Sequence, residues 1–227
     1  MTLEITTKIG CVNNCSYCAQ DKLLKVYIGN LYLAPAQFKK ILDNTPKDVQ
    51  IDFAGFCEPF LNSHTPWMIK YAVGKGYQVV LDTTLTGFTE YEATILNGVR
   101  LKQVYVHDFD NVLIEKIDLL RSSIVTDKFD VGRLEVKHIF SRAGNLWDTE
   151  TKKGFLQCGW NKDFTRNVVL PNGDTYVCCM DYSLKHKIGN LFTTHYNDLD
   201  RDKIKELCSK EDSDLLCRNY EISKVIK

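Results

Sequence analysis

Leu3-Glu4-Ile5-Thr6-Thr7-Lys8, then two residues, then Cys11-Val12-Asn13-Asn14-Cys15-Ser16-Tyr17-Cys18: a strand-like opening runs straight into three thiols in C-x3-C-x2-C spacing. On one short loop at that spacing, all three sulfurs can turn toward a single point. Soft thiolates so arranged suit Zn²⁺ or an iron–sulfur cluster. Either centre ordinarily takes four protein ligands, yet no Cys or His follows Cys18 until Cys57. Three ligands leave one metal position open to a non-protein ligand. The competing reading is a zinc knuckle that borrows a distant ligand. The strand before the loop and the aromatic Tyr17 before its last thiol speak against it.

Outward from this loop, strand-like and helix-like segments alternate up to about Ser141. The strands are read at about Glu4–Lys8, Val49–Phe53, Val79–Leu81, Val104–Val106 and Leu134–Ile139. The helices are read at Pro35–Leu42, Pro66–Gly74 with Thr65 as N-cap, Tyr91–Leu96 and Leu113–Leu120. Strands separated by helices imply right-handed crossovers and a parallel sheet. The expected fold is therefore α/β, a partial (β/α) barrel of five to six strands over residues 1–150. In such folds ligands sit at the carboxyl ends of the strands, which is where Cys11, Cys15 and Cys18 fall. The alternation in Val49-Gln50-Ile51-Asp52-Phe53 is that of a strand with one polar face, turned toward ligand.

The pattern C-x3-C-x-aromatic-C resembles the signature of the radical S-adenosylmethionine (radical SAM) superfamily. The resemblance implies that Cys11, Cys15 and Cys18 hold a [4Fe-4S] cluster, with S-adenosylmethionine on its fourth iron and Tyr17 beside the cofactor. It implies reductive cleavage to a 5′-deoxyadenosyl radical that abstracts hydrogen from a substrate, and an external electron donor such as flavodoxin or ferredoxin. Gly55-Phe56-Cys57-Glu58-Pro59, after the second strand, resembles the superfamily's G-G-E-P segment. Gly55 and Glu58 match, with Glu58 expected to accept from the methionyl ammonium; Phe56 and Cys57 depart at or near the second glycine. Thr84, after strand three, and Asp108, after strand four, lie where related enzymes carry cofactor-lining loops. Arg142, after strand five, is the candidate catalytic residue at the barrel mouth, while His138 reads as a core histidine.

Composition narrows the class. Basic and acidic residues balance at 29 each in 227 residues, so no overall field recruits nucleic acid or an anionic membrane. The first residues carry no signal-peptide pattern and no apolar run is long enough to span a membrane; the expectation is a cytoplasmic protein. Nine cysteines, an odd number, argue for metal rather than a disulfide framework. They fall in two groups separated by a cysteine-free stretch.

The second group occupies residues 151–227, expected as a small hairpin-and-helix domain. Asn167–Leu170 and Thr175–Cys178 flank Pro171-Asn172-Gly173-Asp174 as a β-hairpin, and a polar helix follows near Leu199–Leu207. Cys158 with Gly173-x4-Cys178, followed by Ile188-Gly189-Asn190-Leu191, resembles the twitch and SPASM extensions that carry auxiliary clusters. The cysteine count fits one extra [4Fe-4S] cluster, with ligands expected at Cys158, Cys178, Cys208 and Cys217. Tyr220 stands where a closing C-x2-C would place a cysteine. The fourth ligand is therefore open among Cys208, Cys179 and Asp181. Adjacent Cys178 and Cys179 on an extended segment point to opposite faces, so only one of them is expected to ligate.

The whole is similar to aminocyclitol dehydrogenases, which implies oxidation of a small polar, sugar-like substrate aided by the extra cluster. A peptide maturase of the same superfamily, and a non-catalytic zinc or iron–sulfur protein, are the alternatives.

Overall fold

A computed structural model describes residues 1–226 except 14, 16–17, 108–113 and 133–139. The chain opens with β1 (Thr2–Ile5) and passes through the cysteine loop into a short helix, α1 (Gln20–Val26). Next come α2 (Pro35–Asp43), β2 (Gln50–Phe53), α3 (Thr65–Gly74), β3 (Val79–Thr83) and α4 (Glu90–Leu96). Pro35 opens α2, where its fixed φ suits a first turn and no N–H is needed. In α4 the Thr89 N–H donates to Glu92 Oε2 at 2.9 Å, one arm of a capping box.

The chain continues through β4 (Val99–Leu101), β5 (Gln103–His107), α5 (Ile114–Ser123), β6 (Ile124–Thr126) and β7 (Phe129–Gly132). The rest is β8 (Phe155–Gln157), β9 (Arg166–Val169), β10 (Asp174–Tyr176), β11 (Lys187–Asn190), α6 (Asp202–Cys208) and β12 (Lys224–Ile226). One sheet has the order β11-β10-β9-β1-β2-β3-β5-β7; β4–β6 and β8–β12 form two small pairs. From β9 to β7 every pairing is parallel, whereas β10 and β11 add antiparallel.

The register explains why the sheet has an oily face and a polar one. Leu3 lies opposite Ile51, Ile51 opposite Val79, and Leu81 opposite Val104. All are buried together with Phe38, Ile41, Met68 and Leu96 of the covering helices. Side chains alternate along a strand, so Glu4, Asp52, Asp82, Tyr105 and His107 project from the other face.

Several expectations need correction. The hairpin expected in residues 151–227 does form, but β9 pairs along β1 and extends the main sheet. Thr65 does not cap α3: it is the first helical residue, and its hydroxyl donates to the Pro59 carbonyl at 2.6 Å. Helix α1 was not anticipated, because seven residues carry too little apolar periodicity to register. The helix expected from Leu199 begins at Asp202, after Leu199 has turned into the core. The strand expected at 134–139, with His138, lies outside the described residues; the described neighbour of β5 is β7.

Candidate functional site between the two cysteine groups

A cavity of about 440 Å³ opens on the polar face of the sheet. Cys11, Cys15 and Cys18 line one side of it and Cys158, Cys178 and Cys179 another. Two cysteine groups far apart in sequence thus meet across one chamber, brought together by the β9–β1 pairing.

The first group sits on the loop after β1. Below it Thr6 and Thr7 are buried: Thr6 Oγ1 accepts from the Phe56 N–H at 3.2 Å, and Thr7 Oγ1 donates to the Pro59 carbonyl at 3.0 Å. The loops after β1 and β2 are therefore one hydrogen-bonded unit. The Cys57 thiol donates to the Glu58 carbonyl at 3.4 Å and lies 3.9 Å from the Gly10 carbonyl, and its closeness pushes Cys11 down to about 6. Sequence reasoning gave Cys57 no role; its contact with Cys11 is purely tertiary.

Gly55 faces the same chamber with φ at +81°. A Cβ there would come within 2.4 Å of Thr6 Oγ1, so the tight approach of the two loops requires glycine. Phe56, where the expected G-G-E-P pattern breaks, is buried against Tyr182 with ring centroids 4.9 Å apart and planes at 63°. A departure in one loop is matched by an aromatic from the C-terminal segment.

Glu58 is buried and held by four donors. Its Oε1 accepts from Phe60 N–H at 3.1 Å and Thr83 Oγ1 at 2.7 Å. Its Oε2 accepts from Thr84 N–H at 2.6 Å and Thr84 Oγ1 at 2.8 Å. Burial pushes the carboxyl up to about 7 despite those bonds. Asn13 Nδ2 donates to Thr84 Oγ1 at 2.7 Å, tying the cysteine loop to the same network. Glu58 and Thr84 thus lock the ends of β1, β2 and β3 together on the cavity wall.

Arg142 lines the cavity with a positive φ of 54°, and its Nη1 lies 3.8 Å from Met180 Sδ. Burial first, and then the charge of Arg142, push His107 down to about 4, so His107 is neutral at physiological pH. Tyr17 and Asp108 lie outside the described residues.

In the second group, the Asn161 N–H donates to Cys158 Sγ at 3.2 Å. The neighbouring Cys217 pushes Cys158 down to about 6, while Cys217 is pushed up by Cys158, by burial and by the nearby Cys178 and Cys208. Burial, and then the charge of Cys158, push Cys208 up to about 11. Cys208 and Cys217 sit behind the cavity wall, not on it. Cys178 packs against the main core, whereas Cys179 packs into the separate cluster that holds Phe56 and Tyr182. The side chain of Asp181 is taken up by the backbone N–H groups of Lys185 and His186, at 3.1 and 2.7 Å.

Among the described residues no three Cys, His, Asp or Glu side chains close on one metal ion. A four-iron cluster asks for a wider set, since each cysteine binds a different iron. Gln20, on the cavity wall beside Cys18, donates its Nε2 to the Phe56 carbonyl and leaves its buried Oε1 without a partner among the described residues. An orphaned acceptor beside three soft thiols fits a chamber shaped for a cluster and an organic cofactor.

Residues 158–219 match the SPASM family, an iron–sulfur cluster-binding domain. No curated protein matches the chain in sequence. Among solved structures the chain is similar to BtrN in complex with AdoMet and 2-DOIA, at 15% identity over 92% of this chain and 87% of that one, TM-score 0.68. Selenomethionine BtrN in an open conformation matches at 16% identity over 97% and 91%, TM-score 0.62. SuiB of Streptococcus suis bound to S-adenosylmethionine matches at 14% identity over 91% and 68%, TM-score 0.48. The SPASM match bears out the expected auxiliary iron–sulfur domain, and the likeness to BtrN bears out the expected fold.

Among the described residues no helix is long and apolar enough to cross a membrane.

Proposed function

We propose that the protein is a radical SAM enzyme that oxidises a small polar substrate, of sugar or aminocyclitol type, with help from an auxiliary [4Fe-4S] cluster. The observation that carries this reading is the single cavity lined by both cysteine groups and floored by polar strand residues. In the reading, Cys11, Cys15 and Cys18 hold the first cluster, and Cys158, Cys178, Cys208 and Cys217 hold the second. Residues 1–150 supply the barrel and residues 151–227 the auxiliary site.

Cys11, Cys15 and Cys18 would hold the first cluster, where S-adenosylmethionine and an electron from an external donor would supply radical hydrogen-abstraction chemistry toward the substrate. The chain's own residues bind, orient and exclude. Glu58 and Thr84 fix the loop ends against which the cofactor rests, and Gln20 Oε1 offers an acceptor. Glu4, Asp82, Arg142 and Arg166 offer hydrogen-bonding groups to a hydroxylated or amino-bearing substrate. Tyr182, Phe56 and Trp160 wall the chamber, keeping bulk water from a radical. The volume suits a small molecule, which favours that substrate over a peptide.

The test is anaerobic reconstitution with iron and sulfide, reduction, and assay for 5′-deoxyadenosine. Cleavage is expected in the wild type and lost when any of Cys11, Cys15 or Cys18 is replaced by Ala, with iron retained at the second site. Full cleavage by the triple variant would overturn the reading. Incubation with aminocyclitols and amino sugars then asks which one is oxidised.

A further inference from the structure

We propose that Tyr182 is a positioning residue for the first cluster: its hydroxyl donates to the Cys18 sulfur and sets the reduction potential of the centre that Cys18 holds. This rests on Cys11, Cys15 and Cys18 being cluster ligands.

The Tyr182 hydroxyl lies 3.8 Å from Cys18 Sγ. Between a thiol and a phenol either atom can donate, but a cluster-bound thiolate carries no proton, which leaves the phenol as donor. Tyr182 is 4% exposed. A phenol so deeply buried needs a partner for its O–H, and Cys18 is the partner the structure provides. Packing alone does not call for the hydroxyl: the ring already sits edge-on to Phe56, a contact phenylalanine would make equally well.

The position is rigidly built. The Met180 N–H donates to Cys178 Sγ at 3.3 Å, and the Tyr182 N–H donates to the Met180 carbonyl at 3.0 Å. Asp181 pins the following turn through the His186 N–H at 2.7 Å. The same turn that presents Cys178 to the second cysteine group therefore aims Tyr182 at the first.

Reduction of a cluster adds one electron and moves no proton, so the thiolate sulfurs become more negative. A donor to one of them is worth more in the reduced state, and hydrogen bonds to cluster sulfurs raise the potential accordingly.

Tyr182→Phe keeps the ring on Phe56 and removes only the donor. Wild type and variant are reconstituted anaerobically and titrated with dithionite and mediators under electron paramagnetic resonance. The first cluster is identified as the one whose signal changes on adding S-adenosylmethionine. The expected result is a more negative midpoint for that cluster in the variant, with iron content and the second cluster's midpoint unchanged. Tyr182→Leu, which also deletes the ring, is expected to shift it in the same direction. An unchanged midpoint in Tyr182→Phe overturns the inference and leaves the proposed function standing, as does an equal shift of both clusters, the mark of general loosening. A wild-type protein with no signal that responds to S-adenosylmethionine overturns the proposed function, and this inference with it.

Discussion

Glu4 and Asp52 lie directly opposite one another on β1 and β2, both buried, with the Arg166 guanidinium reaching Glu4 Oε1 at 2.8 Å and Asp52 Oδ2 at 3.7 Å. Like charges facing each other across a parallel pair are unfavourable, and one arginine offsets two carboxylates only in part. Burial, with Glu4 as a further push, raises Asp52 to about 6. Burial, then Asp52 and Glu4, raise Asp82 to about 7. The folded chain therefore prefers these groups protonated.

That preference fixes a pH dependence. Below about pH 4 both carboxyls are protonated in the folded and unfolded chain alike, and their stabilising contribution is complete. As pH rises toward 7 the unfolded chain releases its protons first, so stability falls across that window and stays low above it. Asp82→Asn is expected to flatten the fall and raise stability at pH 8 by about 2–3 kcal/mol. Urea unfolding of both proteins at pH 5 and pH 8 checks this; an equal pH dependence in the two would contradict it.

Glu58→Gln replaces one carboxylate oxygen by an NH₂ facing either the Thr84 or the Thr83 and Phe60 donors. The loss of a charged hydrogen bond and the new donor–donor clash are expected to cost about 1.5–3 kcal/mol. The loss should show in the urea midpoint and, because the same loop borders the cofactor side of the cavity, in a direct titration with S-adenosylmethionine. Unchanged affinity would remove Glu58 from the cofactor site.

Gly55→Ala brings a methyl group onto Thr6 Oγ1 in a backbone region that L-residues rarely adopt. Backbone strain alone is expected to cost about 1–3 kcal/mol. The first cluster should bind iron less completely, since its loop hangs on the same contact. Wild-type stability in the variant would show that the two loops separate freely.

Cys158→Ala combined with Cys178→Ala is expected to lower iron content by about four atoms, one cluster's worth. Cleavage of S-adenosylmethionine should survive while substrate oxidation is lost. Zinc lost instead of iron would make this half a structural metal site. For the fourth ligand, Cys208→Ala should abolish the second cluster and Cys179→Ala should keep it. Cys208 packs in the same core cluster as Cys158 and Cys217, with Cys178 against it, whereas Cys179 packs in the separate cluster of Phe56 and Tyr182.

The sequence by itself determined what depends on spacing and on short-range alternation. The thiol trio of Cys11, Cys15 and Cys18, the parallel α/β character, the helices α2, α3 and α4 to within a residue or two, and the hairpin around Gly173 are all local patterns. They are legible because a period of two or 3.6 residues, or a turn, is fixed by the residues next to it. What the tertiary structure decided has no local signature. Pairing of β9 with β1 carried the second cysteine group to the first. Strand register set Glu4, Asp52 and Asp82 side by side around Arg166. The contacts of Cys57 with Cys11 and of Tyr182 with Cys18 likewise join segments distant in the chain. Such contacts follow from which strands lie adjacent in the sheet, and that is settled by burial summed over the whole core rather than by any one stretch of residues.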